Sequence, residues 1–240
     1  MSHHAVLDSK DHREIRIRPG ASAELGDAVM ASLTVPSEFR RVQNEFPILF
    51  RRDLESGHFS ALALFGFENG ENLFLEGDRW DARYRPLALS IQPFLIGKSA
   101  DSESPAQVDI DLAHARIAAD GEEGVRPFDD FGRPTPYLEA VIEGLDELDQ
   151  GYRTSGDFYT ALERYELLEP FSLDIELRDG AKHRLVGYHL IDEEKLRKLE
   201  PGALAELHSA GFLMPIFMTL ASLANLSALI ERKNRRLGHG

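Results

Sequence analysis

Residues 212–230 read FLMPIFMTLASLANLSALI, nineteen positions without a charge. At ~1.5 Å per residue a helix of that length spans roughly 28 Å, close to the hydrocarbon thickness of a bilayer. A membrane anchor is therefore one reading, and Arg232, Lys233, Arg235 and Arg236 just beyond the run suit it. Three features favour a soluble helix with no transmembrane span. Thr219, Ser222 and Asn225 recur every third residue as a polar stripe. Pro215 fits the first turn of a helix, where its missing N–H breaks no bond. The basic cluster complements the negative end of the helix dipole. We expect a buried C-terminal core helix, covered on most sides, whose loss unfolds the domain.

Working outward, residues 171–178 alternate Phe171, Leu173, Ile175 and Leu177 against Ser172, Asp174, Glu176 and Arg178, and Asp179-Gly180 turns the chain back into a strand over 184–191. That is one strong hairpin. Asp192 then caps a short helix, and Pro201 opens another that ends near Gly211. Upstream, Thr135 caps and Pro136 opens a helix with Leu138, Val141, Ile142, Leu145 and Leu148 at helical spacing. Gly151 is expected to end it, with a second, antiparallel helix over 157–168 carrying Phe158, Leu162 and Tyr165 inward.

The first half is strand-rich. Pro36 opens a short helix within 34–44, 46–50 reads as a strand, and 59–67 alternates apolar residues on both faces. Asn69-Gly70 and the apolar pattern of 72–75 predict a second strong hairpin with a type I′ turn. A strand broken by proline is expected over 87–96, a loop over 98–105, and a strand through Val108, Ile110 and Leu112. The Gly-, Pro- and acid-rich stretch 118–136 reads as a surface excursion. Strands before Leu112 and helices after Thr135 predict an α+β fold, an antiparallel sheet with two hairpins packed against helices of the C-terminal half. The expected organisation is an N-terminal extension or edge strand over 1–33, one domain over 34–236, and a tail over 237–240.

Composition excludes several function classes. Net charge is −14 and the basic residues are scattered, which argues against a nucleic-acid partner. Cysteine is absent, so thiolate chemistry is too. The first twenty residues hold no apolar h-region, which points to the cytoplasm. No G-x-S-x-G elbow, S-x-x-K or phosphate loop occurs, and Asp130-Phe131-Gly132 lacks the other kinase motifs. No catalytic residue and no cofactor is indicated. His183, His189 and His208 lack metal-ligand spacing. Asp109 and Asp111, with His114 nearby, suit either a hard cation or a solvent-facing strand edge.

One stretch stands apart. Residues 76–84, EGDRWDARY, hold the single Trp in a segment too polar for a core strand. Trp80 either seals the end of the sheet or, with Arg83 and Tyr84, forms a surface that binds a protein partner or small ligand, since aromatic and Arg side chains carry binding energy when desolvated.

Four phrases resemble the SapC-like family of bacterial proteins: VPSEFRRVQNEFPILFRRD (35–53), GENLFLEGDRWDARYRPLALSIQPFLIG (70–97), LLEPFSLDIELRDG (167–180) and LHSAGFLMPIFMTLASLANLSALIERKNRR (207–236). The resemblance runs over 34–236. It implies an association with paracrystalline surface layers in some members and, in proteobacteria, a gene neighbourhood of outer-membrane receptors, cupin-like proteins and flavin-dependent tryptophan-halogenase-like proteins. It brings no catalytic motif. A peptide-transport permease of similar name needs several apolar spans, and this chain offers at most one. Two function classes follow: a non-enzymatic interaction or accessory protein, with the surface-layer association that the resemblance implies, and an accessory or small-molecule enzyme beside those neighbours.

Overall fold

The computed structural model describes residues 3–97, 107–119 and 122–237; the loop expected over 98–105 lies outside them. In chain order the elements are β1 (His4–Val6), a π-helical turn (Ala23–Asp27), β2 (Ala31–Thr34), α1 (Phe39–Val42), β3 (Ile48–Arg52), β4 (Phe59–Leu64), β5 (Leu75–Glu76) and β6 (Arg79–Trp80). Then come α2 (Leu87–Ser90), β7 (Phe94–Gly97), β8 (Gln107–Asp111), α3 (Pro136–Arg164), β9 (Leu168–Glu176) and β10 (Lys182–Ile191). Four helices close the chain: α4 (Glu193–Arg197), α5 (Pro201–Ser209), α6 (Leu213–Ser222) and α7 (Asn225–Leu237). The fold is α+β, and among the described residues every strand pairing is antiparallel.

The chain forms two compact units. The first comprises Met1–Ala28, Leu75–Asp81 and Leu87–Gln150, and the second Val29–Phe74, Ala82–Pro86 and Gly151–Gly240. In the first, β1, β8 and β7 form a three-stranded sheet with Phe94 and Ile110 fully buried opposite each other. A buried pair organises the chain before it. Arg116 Nη2 donates to both carboxylate oxygens of Asp27, at 2.8 and 2.6 Å, while its Nη1 donates to the carbonyls of Arg18 and Gly20. Such a buried pair offsets its desolvation fully only when the remaining donors are also used; the two carbonyls serve Nη1, while Nε stays buried without a partner among the described residues.

The second unit is built on a five-stranded sheet in the order β2-β4-β3-β10-β9. Strand β4 lies between β2 and β3, so Ala61, Leu62, Ala63 and Leu64 are all buried, as alternation of apolar residues on both faces predicts. Strands β9 and β10 form the hairpin expected around Asp179-Gly180. Its turn is not type I′, because Gly180 alone takes a positive φ, 85°, and Asp179 does not. A bulge between Leu185 and Tyr188 uses Gly187 at φ 83°. On α3, Phe158 packs against Phe39, Phe50 and Phe212.

Four expectations need correction. Asn69-Gly70 turns the chain, with Gly70 at φ 80°, but no hairpin forms there. A type I′ turn needs positive φ at both central residues, and Asn69 does not adopt it. The following residues give one backbone bond to Phe65, while β4 pairs with β2 and β3 instead. The two-residue hairpin of that region is β5–β6, turned by Gly77-Asp78.

Second, Gly151 does not end a helix. Helix α3 runs unbroken for 29 residues, and a Cβ on Gly151 would lie 2.5 Å from Val35 Cγ2. The glycine marks a close approach, not a cap. Third, residues 87–90 form α2, not a strand.

Fourth, the apolar run 212–230 is two helices, α6 and α7, joined at Leu223 and Ala224 and buried on one face only. Met214 and Phe217 are 53% and 52% exposed. The polar stripe is what turns inward. Thr219 Oγ1 donates to the Pro215 carbonyl at 2.9 Å, Ser222 Oγ donates to the Thr219 carbonyl and accepts from the Ile48 amide at 2.9 Å, and Asn225 Nδ2 donates to the Gln43 carbonyl at 2.8 Å. Each polar group of the stripe is thus bonded. Pro215 lies in the first turn of α6. By length and composition the stretch Leu213–Leu237 is long and apolar enough to cross a membrane, and 28% of its most apolar part is buried. Lys233, nearly covered, anchors α7 by donating to Glu68 and Glu71, which hold its pKa above the usual lysine value against the opposing effect of burial.

Candidate functional site

Residues 82–86 of the second unit are held against the α1 region by two glutamates. The Glu45 carboxylate accepts the backbone amides of Arg83, at 2.8 and 3.0 Å, and of Tyr84, at 3.2 Å. Two successive amides on one carboxylate fix the main chain with charge-assisted bonds. The Tyr84 hydroxyl donates to Glu38 Oε1 at 2.5 Å, and Thr34 Oγ1 donates to the other oxygen, Oε2, at 2.7 Å. Glu38 is fully buried. Its place follows from the local sequence, since Glu38 lies between the buried Val35 and Phe39 where the chain enters α1, and Thr34 ends β2 beside the carboxylate. The Arg41 guanidinium stacks on the Tyr84 ring at 5.0 Å.

Arg83 differs from these neighbours. Its backbone is fixed, but its side chain is exposed and makes no ion pair among the described residues. The structure therefore brings Arg83 and Tyr84 together on one scaffold. Trp80 belongs to the first unit, half-buried on β6 opposite Leu75. Glu38, Glu45, Thr34 and Arg41 were not singled out by sequence reasoning. The one local signal was an acid set between the apolar Val35 and Phe39, four residues after a threonine.

Beyond Thr34, a pocket of about 180 Å³ opens between α3 and the β2–β4 edge, lined by Phe59, Ser60, Tyr152, Ser155 and Tyr159 among others. The Tyr159 hydroxyl accepts the Ala61 amide at 3.0 Å, and burial pushes its pKa up to about 12. Burial, with the Glu38 charge behind it, also raises Tyr152. Both phenols therefore stay protonated near neutral pH.

Among the described residues no group of three or more His, Asp or Glu is placed to hold a metal ion. Asp111 accepts the His3 and Ala113 amides, which hold its carboxyl below the usual range, and His114 accepts the Arg116 amide.

Searches among curated proteins and among solved structures find no match. A family model, SapC, matches residues 7–229. The match takes in the β9–β10 hairpin, the glutamate-held segment around Arg83 and most of the apolar C-terminal run, and on that extent this chain belongs to the SapC family.

Proposed function

We propose that this protein is a non-enzymatic interaction or accessory protein that holds a carboxylate-bearing protein partner through Arg83. One observation carries the reading: the Arg83 backbone is locked by Glu45 while its guanidinium stands exposed without an ion pair among the described residues. A fixed backbone lowers the entropy lost on docking, and a planar guanidinium pairs with a carboxylate through two parallel bonds. Tyr84, itself tied to Glu38, supplies the adjoining aromatic surface. An association with surface layers, implied for some family members, fits such a role.

A second reading, an accessory or small-molecule enzyme, draws support from the hydroxyl-lined pocket. Affinity recovery from the native host with wild type and Arg83→Ala separates the two. The binding reading expects a defined partner with wild type and its loss with Arg83→Ala, whose fold is kept because only the exposed side chain changes. Equal recovery by both proteins removes Arg83 from consideration. Steady turnover of a metabolite by the purified protein alone overturns the non-enzymatic assignment.

A further inference from the structure

Four positions on α3, Tyr152, Ser155, Gly156 and Tyr159, recur at i, i+3, i+4 and i+7 and so share one helix face. The buried face of α3 carries Leu138, Val141, Leu145, Leu148, Phe158 and Leu162, and the four positions above lie beside it. Here the same spacing presents hydroxyls and a glycine to the β2–β4 edge. A Cβ on Gly156 would meet nothing within 4 Å, so no packing contact requires the glycine. Glycine inside a helix costs about 1 kcal/mol relative to alanine. Gly156 is exposed on the pocket lining, so the helix carries that cost there with no packing contact in return.

The hydrogen-bonding capacity of the lining is largely unused. Tyr159 accepts a bond from Ala61, and its own O–H has no acceptor among the described residues. The Tyr152 and Ser60 hydroxyls have no partner there either, and Ser155 donates to the Tyr152 carbonyl while keeping its lone pairs. Phe59 contributes a flat apolar ring.

We propose that this pocket is a binding site for a small, neutral, polyhydroxylated ring of the monosaccharide or cyclitol type. An anion is disfavoured by Glu38 behind Thr34, and the one carboxylate on the lining, Glu163, is already paired with Arg52 at 4.0 Å. A simple cation offers no acceptor to the two phenol O–H groups. A ring bearing hydroxyls both donates and accepts, and its C–H face matches Phe59 and the tyrosine rings. The volume, about 180 Å³, is below the roughly 300–1,000 Å³ of drug-sized sites and suits one ring. The inference is independent of the Arg83 reading, since Arg83 does not line the pocket.

Saturation-transfer NMR tests it with D-glucose, N-acetylglucosamine and myo-inositol as neutral probes and with choline and inorganic phosphate as charged controls. At least one neutral probe receives saturation, and neither control does. Tyr152→Phe keeps the ring and removes one donor, so affinity for that probe falls roughly three- to tenfold, the worth of one hydrogen bond. Gly156→Ala weakens the probe while raising the melting temperature. Silence from all three neutral probes, binding that survives Tyr152→Phe undiminished, or preferential binding of choline or phosphate overturns the proposal. Because Tyr152→Phe changes only a phenol oxygen, the test stands even if Gly156→Ala folds poorly.

Discussion

Gly151 and Gly156 sit just over one turn apart on the same helix and mean opposite things. A Cβ on Gly151 would press to 2.5 Å from Val35 Cγ2 and 3.0 Å from Ser37 Oγ, so the glycine is what lets α3 approach the chain entering α1. A Cβ on Gly156 would meet nothing within 4 Å. The first glycine is demanded by packing, and the second, exposed on the pocket lining, is not. A glycine inside a helix thus has to be interpreted from the space around it, because its helix propensity is equally poor in both places.

The largest expected effect is at the tight site. Gly151→Ala overpacks against Val35 and costs about 1–3 kcal/mol, lowering the melting temperature by roughly 2–4 °C for each kcal/mol. Gly156→Ala goes the other way, a gain of about 1 kcal/mol and a higher melting temperature. Calorimetry on the two variants checks both signs. If Gly156→Ala destabilises as much as Gly151→Ala does, the contrast between them collapses.

A smaller effect lies on the pH axis near the same pocket. Phe59 packs edge-on against His189 at 5.0 Å. Burial, and then the charge of Arg52, lowers the His189 pKa from its ordinary 6.5. The folded state therefore binds this proton less readily than the unfolded chain. Its contribution to stability is present above pH 6.5 and is lost as pH falls from there through the folded value. His189→Phe should flatten the thermal-stability profile between pH 7 and pH 5 without abolishing its slope, because His114 is lowered in the same direction. An unchanged slope would assign the whole dependence elsewhere. The smallest effect on stability is expected from Arg83→Ala, whose melting temperature should match wild type because that exposed side chain makes no hydrogen bond or ion pair among the described residues.

Much of the fold was legible because local and tertiary preferences agree. The alternation before Asp179-Gly180, the Asp192 cap, with its side chain accepting from the Lys195 amide, and Pro201 at the start of α5 all appear as the sequence suggests. Asn69-Gly70 carries as strong a turn signal, yet burial of β4 between β2 and β3 outweighs the local preference for a hairpin. Gly151 was misread because its reason, Val35, comes from a distant part of the chain. The apolar run 212–230 concealed which face is buried, since Thr219 and Ser222 turn inward to bonds while Phe217 turns out. Site residues followed the same division. Arg83 and Tyr84 stood out by residue type, whereas the glutamates that hold them lie 38 and 46 residues away. The hydroxyl face of α3 has a readable spacing, but breaking the helix at Gly151 hid it.

The central claim, that the exposed Arg83 side chain marks a binding surface, is tested most directly by a photo-crosslinking amino acid placed at Ala82 in the native host, beside an intact Arg83. The same photo-reactive residue at Leu54, 97% exposed, serves as control. A discrete adduct is expected from position 82 that is absent from position 54 and is competed away by excess wild-type protein but not by excess Arg83→Ala. No adduct at 82, or equal labelling from both positions, would contradict the claim.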